Sequence, residues 1–282
     1  MANKCFYHSK DHDGECSAAI IYSKYPDCKL IGVDYDEEFP TGIINYGDRI
    51  FMVDYSRPQW EEMLNIQNFC EEFIWIDHHK AIIEKMNKSD NRLKKYYVST
   101  DKAACELCWE YFYKTEVPVG VRLLGQYDRW DHSDPKAIPF EVGLRGYDTS
   151  PEKEIWKKVF KSNDYFIDDI IKKGKLIKEY QDKADKWNMK KSFPFKWEGV
   201  SFICIDNVNT GSLQFDSVWD PEKYDAVLVF YLGTDFMWNI RMYTSKEGID
   251  LSKIAVKYGG GGHTNACGCK IKNLPFFGQG LI

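Results

Sequence analysis

The sequence predicts an α/β protein in parts: a parallel-sheet domain over residues 1–148, a helical linker over 149–194 and a smaller α/β domain over 195–282. Three observations carry this reading. Short apolar runs alternate with helical periodicity through the first half, the pattern of strands joined by right-handed helical crossovers. Charged helix without strand follows from Pro151 to about Lys191, and strand-like runs then resume up to Ile271. The run Phe73-Ile74-Trp75-Ile76 is continuously apolar, as a strand buried on both faces is, and it leads straight into Asp77-His78-His79.

Taken in order, Cys5 to His8 reads as a first strand, then comes the turn Ser9-Lys10-Asp11-His12-Asp13-Gly14, then a helix from Cys16 to Tyr25. Gly14 suits a tight turn beside a ligand, while Asp11 and Asp13 fit a helix cap as well as a site. Lys29 to Val33 and Arg49 to Val53 are further strands, the latter ending in Asp54. Pro58 opens a helix running to about Phe69. Beyond the central run, Tyr96 to Ser99 is a strand, and Ala103 to Tyr113 and Val119 to Tyr127 are helices, the second leading into Asp128-Arg129-Trp130. In the linker, Phe166, Ile170, Ile171, Leu176, Ile177, Tyr180 and Trp187 recur roughly on a helical period, and Pro194 closes it. The last domain shows strands at Val200 to Ile205, Ala226 to Tyr231, Met237 to Tyr243 and Ala266 to Ile271, a helix at Leu251 to Lys257, and the run Gly259-Gly260-Gly261-Gly262-His263.

Hydrophobic residues make up 44% of the chain and aromatics 16%, enough to build cores. The net charge of -5 gives no bulk basic field, so a long nucleic-acid duplex is not an expected partner. No run approaches the length of a membrane span. The opening MANKCFYHSK is too polar for a secretory leader, and the nine cysteines are scattered. The expectation is a cytoplasmic protein with free thiols, Cys105 and Cys108 being core residues of a helix.

Acids and histidines at strand and helix ends form one set: His8, Asp11, Asp13, Asp54, Asp77, His78, His79 and Asp128. In a parallel sheet such ends converge on one edge. Crowded carboxylates there repel and resist desolvation, and a divalent cation resolves that conflict. Carboxylate and imidazole donors without thiolate suit manganese first, with magnesium, cobalt or iron as alternatives. The donor count exceeds the needs of one ion; two ions clamp a phosphoryl oxygen and activate a bridging hydroxide. The tetraglycine segment reads as an anion-binding nest or as a flexible turn. Arg241 reads as an anion clamp or as an outward-facing strand residue.

Together these motifs resemble the DHH phosphoesterase superfamily. The resemblance rests on His8-x-x-Asp11-x-Asp13-Gly14, Val53-Asp54-Tyr55-Ser56, Ile76-Asp77-His78-His79, Tyr127-Asp128-Arg129-Trp130 and, downstream, Gly259 to His263 with the following Asn265-Ala266-Cys267-Gly268, which is similar to the family's GGGH element. It implies a second domain with a mixed sheet and an active site in the cleft between the domains. It implies that His8, Asp11, Asp54 and Asp128 hold one cation and Asp13, Asp54, His78 and Asp128 the other. Asp77 would orient a neighbouring imidazole, His79 would face the scissile phosphate, and Gly260, Gly261, Gly262, His263 and Arg241 would bind substrate. The expected activity is hydrolysis of short oligonucleotides, dinucleotides or related phosphonucleotides, in a monomer or a homodimer. A catalytically silent nucleotide-binding protein and a single-strand exonuclease are the alternatives. His12 takes no role in this scheme, and His132 stands near enough to Asp128 to approach the site or to sit on the surface.

Overall fold

The structure is a computed structural model and describes residues 2–35, 37–89, 92–131, 133–161, 164–207, 215, 218–262 and 264–276. It divides into two units, Met1–Lys178 and Glu179–Ile282, the division falling within the expected linker.

The first unit holds β1 (Asn3–His8), α1 (His12–Lys24), β2 (Lys29–Val33), β3 (Arg49–Val53), α2 (Trp60–Phe69), β4 (Glu72–Asp77), α3 (Lys80–Lys88), β5 (Tyr96–Val98), α4 (Ala104–Tyr113), α5 (Val119–Asp128), α6 (Ala137–Leu144), α7 (Glu154–Phe160) and the start of α8 (Asp164–Asn188). Its five strands are all parallel, in the order β2-β1-β3-β4-β5. Alternate residues of each strand feed two cores. Phe51, Val53, Ile74 and Ile76 pack with α1, α4 and α5, whereas Ile50, Met52, Phe73 and Trp75 pack with residues of α2 and α3. Cover on both faces explains why these strands read as unbroken apolar runs.

Register fixes the functional edge. Tyr7 pairs with Val53, and Val53 with Ile76, so His8, Asp54 and Asp77 emerge side by side at the carboxyl edge. Helix α1 begins at His12, four residues earlier than its apolar pattern suggests, because the Asp11 side chain caps it by accepting the Gly14 amide at 2.9 Å. The turn is tight: a Cβ on Gly14 would lie 1.9 Å from the His8 carbonyl oxygen. Gly14→Ala must push β1 and α1 apart and is expected to cost about 3 kcal/mol, read as a lower urea midpoint at unchanged slope.

Helices α3 and α6 are additional to those expected. The N-terminal half of α8 belongs to the first core through Ile167, Ile170 and Ile171. It crosses α6 at backbone contact: a Cβ on Gly174 would meet the Pro139 carbonyl oxygen at 1.7 Å.

The second unit has β6 (Phe193–Trp197), β7 (Val200–Asp206), β8 (Ala226–Leu232), β9 (Trp238–Tyr243), α9 (Ser252–Lys257), β10 (Gly261–Gly262) and β11 (Ala266–Ile271). The six strands form one mixed sheet, β10-β11-β9-β8-β7-β6, in which only the β7/β8 pair is parallel. Ile254 and Ala255 of α9 share a core with Phe202, Leu228, Ile240 and Met242 on one face. Among the described residues no helix is long and apolar enough to cross a membrane. All nine cysteines are free and buried, and Cys105 and Cys108 are core residues of α4.

Candidate active site

Every metal-ligating residue expected from the sequence comes together at the carboxyl edge of the first sheet. His78 Nε2 lies 3.3 Å from Asp54 Oδ1, 3.3 Å from Asp128 Oδ2 and 3.6 Å from Asp13 Oδ2. His8 Nδ1 lies 2.8 Å from Asp11 Oδ2 and 3.8 Å from Asp54 Oδ2. Three groups each offer ligand atoms within 4.8 Å of one another: His8, Asp11 and Asp54; Asp13, His78 and Asp128; and Asp54, Asp77, His78 and His79. Asp54 appears in two of them, as a bridging carboxylate must. Asp128 is grouped with Asp13 and His78.

Each donor is held by backbone geometry. Asp13 Oδ1 accepts the Cys105 amide at 2.7 Å and its Oδ2 the Ala104 amide at 2.9 Å. These are the free N–H groups at the start of α4, whose N-cap residue Ala103 has no side-chain acceptor of its own; a carboxylate there also meets the positive end of the helix dipole. Asp54 leaves β3 with φ 51, a left-handed conformation that costs a non-glycine residue on the order of 1 kcal/mol. Asp77 is fully buried, and its Oδ1 accepts the His78 amide at 2.7 Å, the His79 amide at 3.2 Å and His79 Nδ1–H at 2.6 Å. The imidazole that Asp77 orients is therefore that of His79, and the other nitrogen of that ring is left for chemistry.

Electrostatics favour a cation. Burial, then the carboxylates of Asp13 and Asp11, push the Asp54 carboxyl well above the usual range. Burial and Asp13 push Asp128 up to about 7. His8 is held up to about 10 because Asp11 and Asp54 outweigh the burial that opposes it. Asp54 Oδ1 and Asp128 Oδ2 are buried and make no hydrogen bond. Buried carboxylate oxygens without donors, facing imidazoles and one another, are a donor set that divalent cations fit. Asp54 and His8, Asp11 would hold one ion, and Asp54 with Asp13, His78 and Asp128 a second.

The same edge carries residues that the motifs did not point to. Asp34, just past β2, lies 3.6 Å from His8 Nε2. Tyr35 packs its ring 5.6 Å from His8 and 6.0 Å from His79. His12 is explained by a partner on α6, since its Nδ1 lies 2.7 Å from Glu141 Oε2 in a largely buried pair. The strand-then-acid pattern, Val33-Asp34, was present in the sequence for the first of these.

In the second unit Arg241 projects exposed from β9, one amino group 3.3 Å from the Tyr231 hydroxyl. Pairing sets Arg241 opposite Gly268 and Gly268 opposite Gly261, so the arginine and the glycine segment lie on one row of the sheet. The amides of Gly259 and Gly260 bond to carbonyls of Val256 and Ala255 and close α9. A Cβ on Gly260 would meet the Gly268 carbonyl oxygen at 2.1 Å, while one on Gly261 meets nothing. His263 and His132 lie outside the described residues.

Residues 5–126 match the DHH family, N-terminal domain. The matched segment lies wholly within the first unit and takes in less than half of the chain. DHH phosphoesterases are metal-dependent, and family members are phosphodiesterases or phosphatases, hydrolases of phosphate esters. The chain is 26% identical over 251 residues to an uncharacterised protein of Acanthamoeba polyphaga mimivirus, covering 80% of this chain and 55% of that protein. It is 26% identical over 158 residues to the oligoribonuclease NrnB of Bacillus subtilis, covering 53% of this chain and 38% of the relative. The chain thus spans about half the length, or less, of these curated relatives. A solved structure, the pGpG-specific phosphodiesterase PggH from Vibrio cholerae, shares the fold with a TM-score of 0.54 at 12% identity, over 95% of this chain and 93% of that one. The DHH triplet itself is Asp77-His78-His79, and Asp128 falls just beyond the matched segment.

Proposed function

We propose that this chain is a divalent-cation-dependent phosphodiesterase that hydrolyses short oligonucleotides, dinucleotides or related phosphonucleotides, with manganese as the preferred ion. The observation that carries this reading is the convergence of Asp11, Asp13, Asp54 and Asp128 with His8 and His78 at one sheet edge, with donor oxygens left unpartnered. Cations held there supply Lewis-acid polarisation of a phosphoryl oxygen and lower the pKa of an attacking water. His79, aligned by Asp77, faces the scissile phosphate and stabilises its charge or protonates the leaving oxygen. Arg241, Gly260, Gly261, Gly262 and His263 are assigned to substrate binding, Arg241 and Gly261 being the exposed members of the row described above. A family whose members cleave phosphate esters, together with relatives named for an oligoribonuclease and a pGpG phosphodiesterase, supports nucleotide substrates.

The test is turnover of a labelled dinucleotide by the full chain in manganese, beside a long single strand. The dinucleotide is expected to be the faster substrate. Asp128→Ala should lower turnover about 10³-fold, equivalent to several kcal/mol of transition-state stabilisation. Equal rates for parent and variant would overturn the site, tight binding without product would favour a nucleotide-sequestering protein, and faster cleavage of the long strand would favour an exonuclease.

A further inference from the structure

We propose that Asp34 is a positioning residue that fixes the tautomer and orientation of His8 for cation binding, an inference that rests on His8 being a ligand. Val33, the last residue of β2, pairs with His8, and the Ser9 amide donates to the Val33 carbonyl at 3.1 Å. Asp34 therefore leaves the sheet directly beside the His8 ring. The two ring nitrogens face different carboxylates. Nδ1 is turned to Asp11 at 2.8 Å and Asp54 at 3.8 Å, the candidate ligands, while Nε2 is turned to Asp34 Oδ1 at 3.6 Å. Asp34 itself belongs to none of the three candidate ligand groups.

An imidazole binds a cation only through a nitrogen without a proton, so the other nitrogen carries the N–H and needs an acceptor. Asp34 Oδ1, 3.6 Å from Nε2, is too far for a hydrogen bond as the ring stands, and a small turn of the ring would make it that acceptor. Its carboxylate is itself held, Oδ1 accepting the Tyr35 amide at 2.7 Å, with Lys10 Nζ 3.6 Å from Oδ2. The Tyr35 ring lies beside His8, 5.6 Å away, and packs against Tyr55 at 4.8 Å with the rings tilted by 33°, which limits rotation of the imidazole. This would give His8 an arrangement like that of His79 with Asp77: one nitrogen backed by a strand-end carboxylate, the other turned to the candidate ligands. The sheet supplies both tethers in the same way, as the acid at the end of a parallel strand.

The experiment titrates manganese alone into metal-free full-length protein by calorimetry. Asp34→Ala is expected to weaken manganese binding at one site by about 10- to 100-fold, the usual effect of losing a carboxylate behind a ligating histidine. Asp34→Asn should recover most of that loss, because its carboxamide oxygen can accept the same N–H. Lys10→Ala, which removes the ammonium beside Asp34, should leave the affinity as in the parent. Nitrogen-15 spectra of the magnesium-loaded parent should show His8 with its proton on Nε2, and Asp34→Ala should lose that signature. The proposal is overturned if Asp34→Ala binds manganese within about twofold of the parent while Asp54→Asn loses a site, if Lys10→Ala matches Asp34→Ala, or if the His8 proton sits on Nδ1. Unchanged binding in Asp54→Asn as well would instead remove the cation centre, and this proposal with it.

Discussion

Asp54→Asn is expected to abolish turnover and, in the same protein freed of metal, to raise the melting temperature. Asparagine keeps the shape of aspartate and is among the residues that best tolerate the left-handed backbone at this position. What it removes is a charge buried to 1% exposure. Burial and the neighbouring Asp13 and Asp11 hold that carboxyl far above its ordinary range, so ionising it opposes folding at neutral pH. Removing it should stabilise the metal-free protein by on the order of 1 kcal/mol, about 2–4 °C. Catalysis should fall by at least about 10³-fold, since Asp54 is shared between candidate cation groups. Calorimetry with and without manganese, paired with steady-state rates, checks both halves. A lower melting temperature in the metal-free variant would mean that Asp54 stabilises the fold instead of straining it.

The second large effect is a pH dependence that changes direction with metal. In the metal-free protein Asp128 is raised to about 7, so its contribution to stability is complete below the ordinary carboxylate range and is lost as pH rises through about 7. His8, raised to about 10, contributes below its ordinary value and loses that contribution as pH rises through about 10. Asp11 and Asp77 are lowered, by His8 and His79 respectively against the burial that opposes it, and their contribution is lost only in acid. Metal-free stability should therefore decline steadily from about pH 5 to pH 10. Cation binding requires the deprotonated donors and releases their protons. The rise in melting temperature caused by manganese should accordingly grow between about pH 5 and pH 8. A manganese effect that shrank over that interval would exclude these carboxylates and imidazoles as the ligands.

Much of this site is legible in the sequence because one local rule generates it. An apolar run that ends abruptly in Asp or His marks a buried parallel strand and delivers its last side chain to the carboxyl edge; His8, Asp54 and Asp77 all follow it. Asp34 follows it too, but β2 is an edge strand whose run is interrupted by Gly32, which blurs the signal. The anchoring of Asp13 by the amides of Ala104 and Cys105 joins residues far apart in sequence, and no local pattern encodes it. Helix α6 was hidden for a similar reason. Pro139 and Gly143 are poor helix residues, yet their small profiles let α8 cross at backbone contact, so packing overrides propensity. Strand β6 begins Phe-Pro-Phe, and a proline is admissible there because β6 lies at the sheet's edge. The glycine run is only partly a loop: Gly260 and Gly262 are small because the β11 backbone passes against them, which leaves Gly261 as the position that reports on ligand contact without disturbing the sheet.

The donors are drawn from β1, the start of α1, the ends of β3 and β4, and the last residue of α5. No short stretch of chain can therefore capture a cation as a zinc finger does. The centre exists only after the parallel sheet has closed its non-local pairings and α5 has docked, which are slow, late events for this topology. A cation bound there would consequently be a lock applied at the end of folding and not a nucleus for it. Such binding should slow unfolding far more than it speeds refolding: at a free concentration one hundred times its dissociation constant it would deepen the native well by about 2.7 kcal/mol, and almost all of that should appear in the unfolding rate.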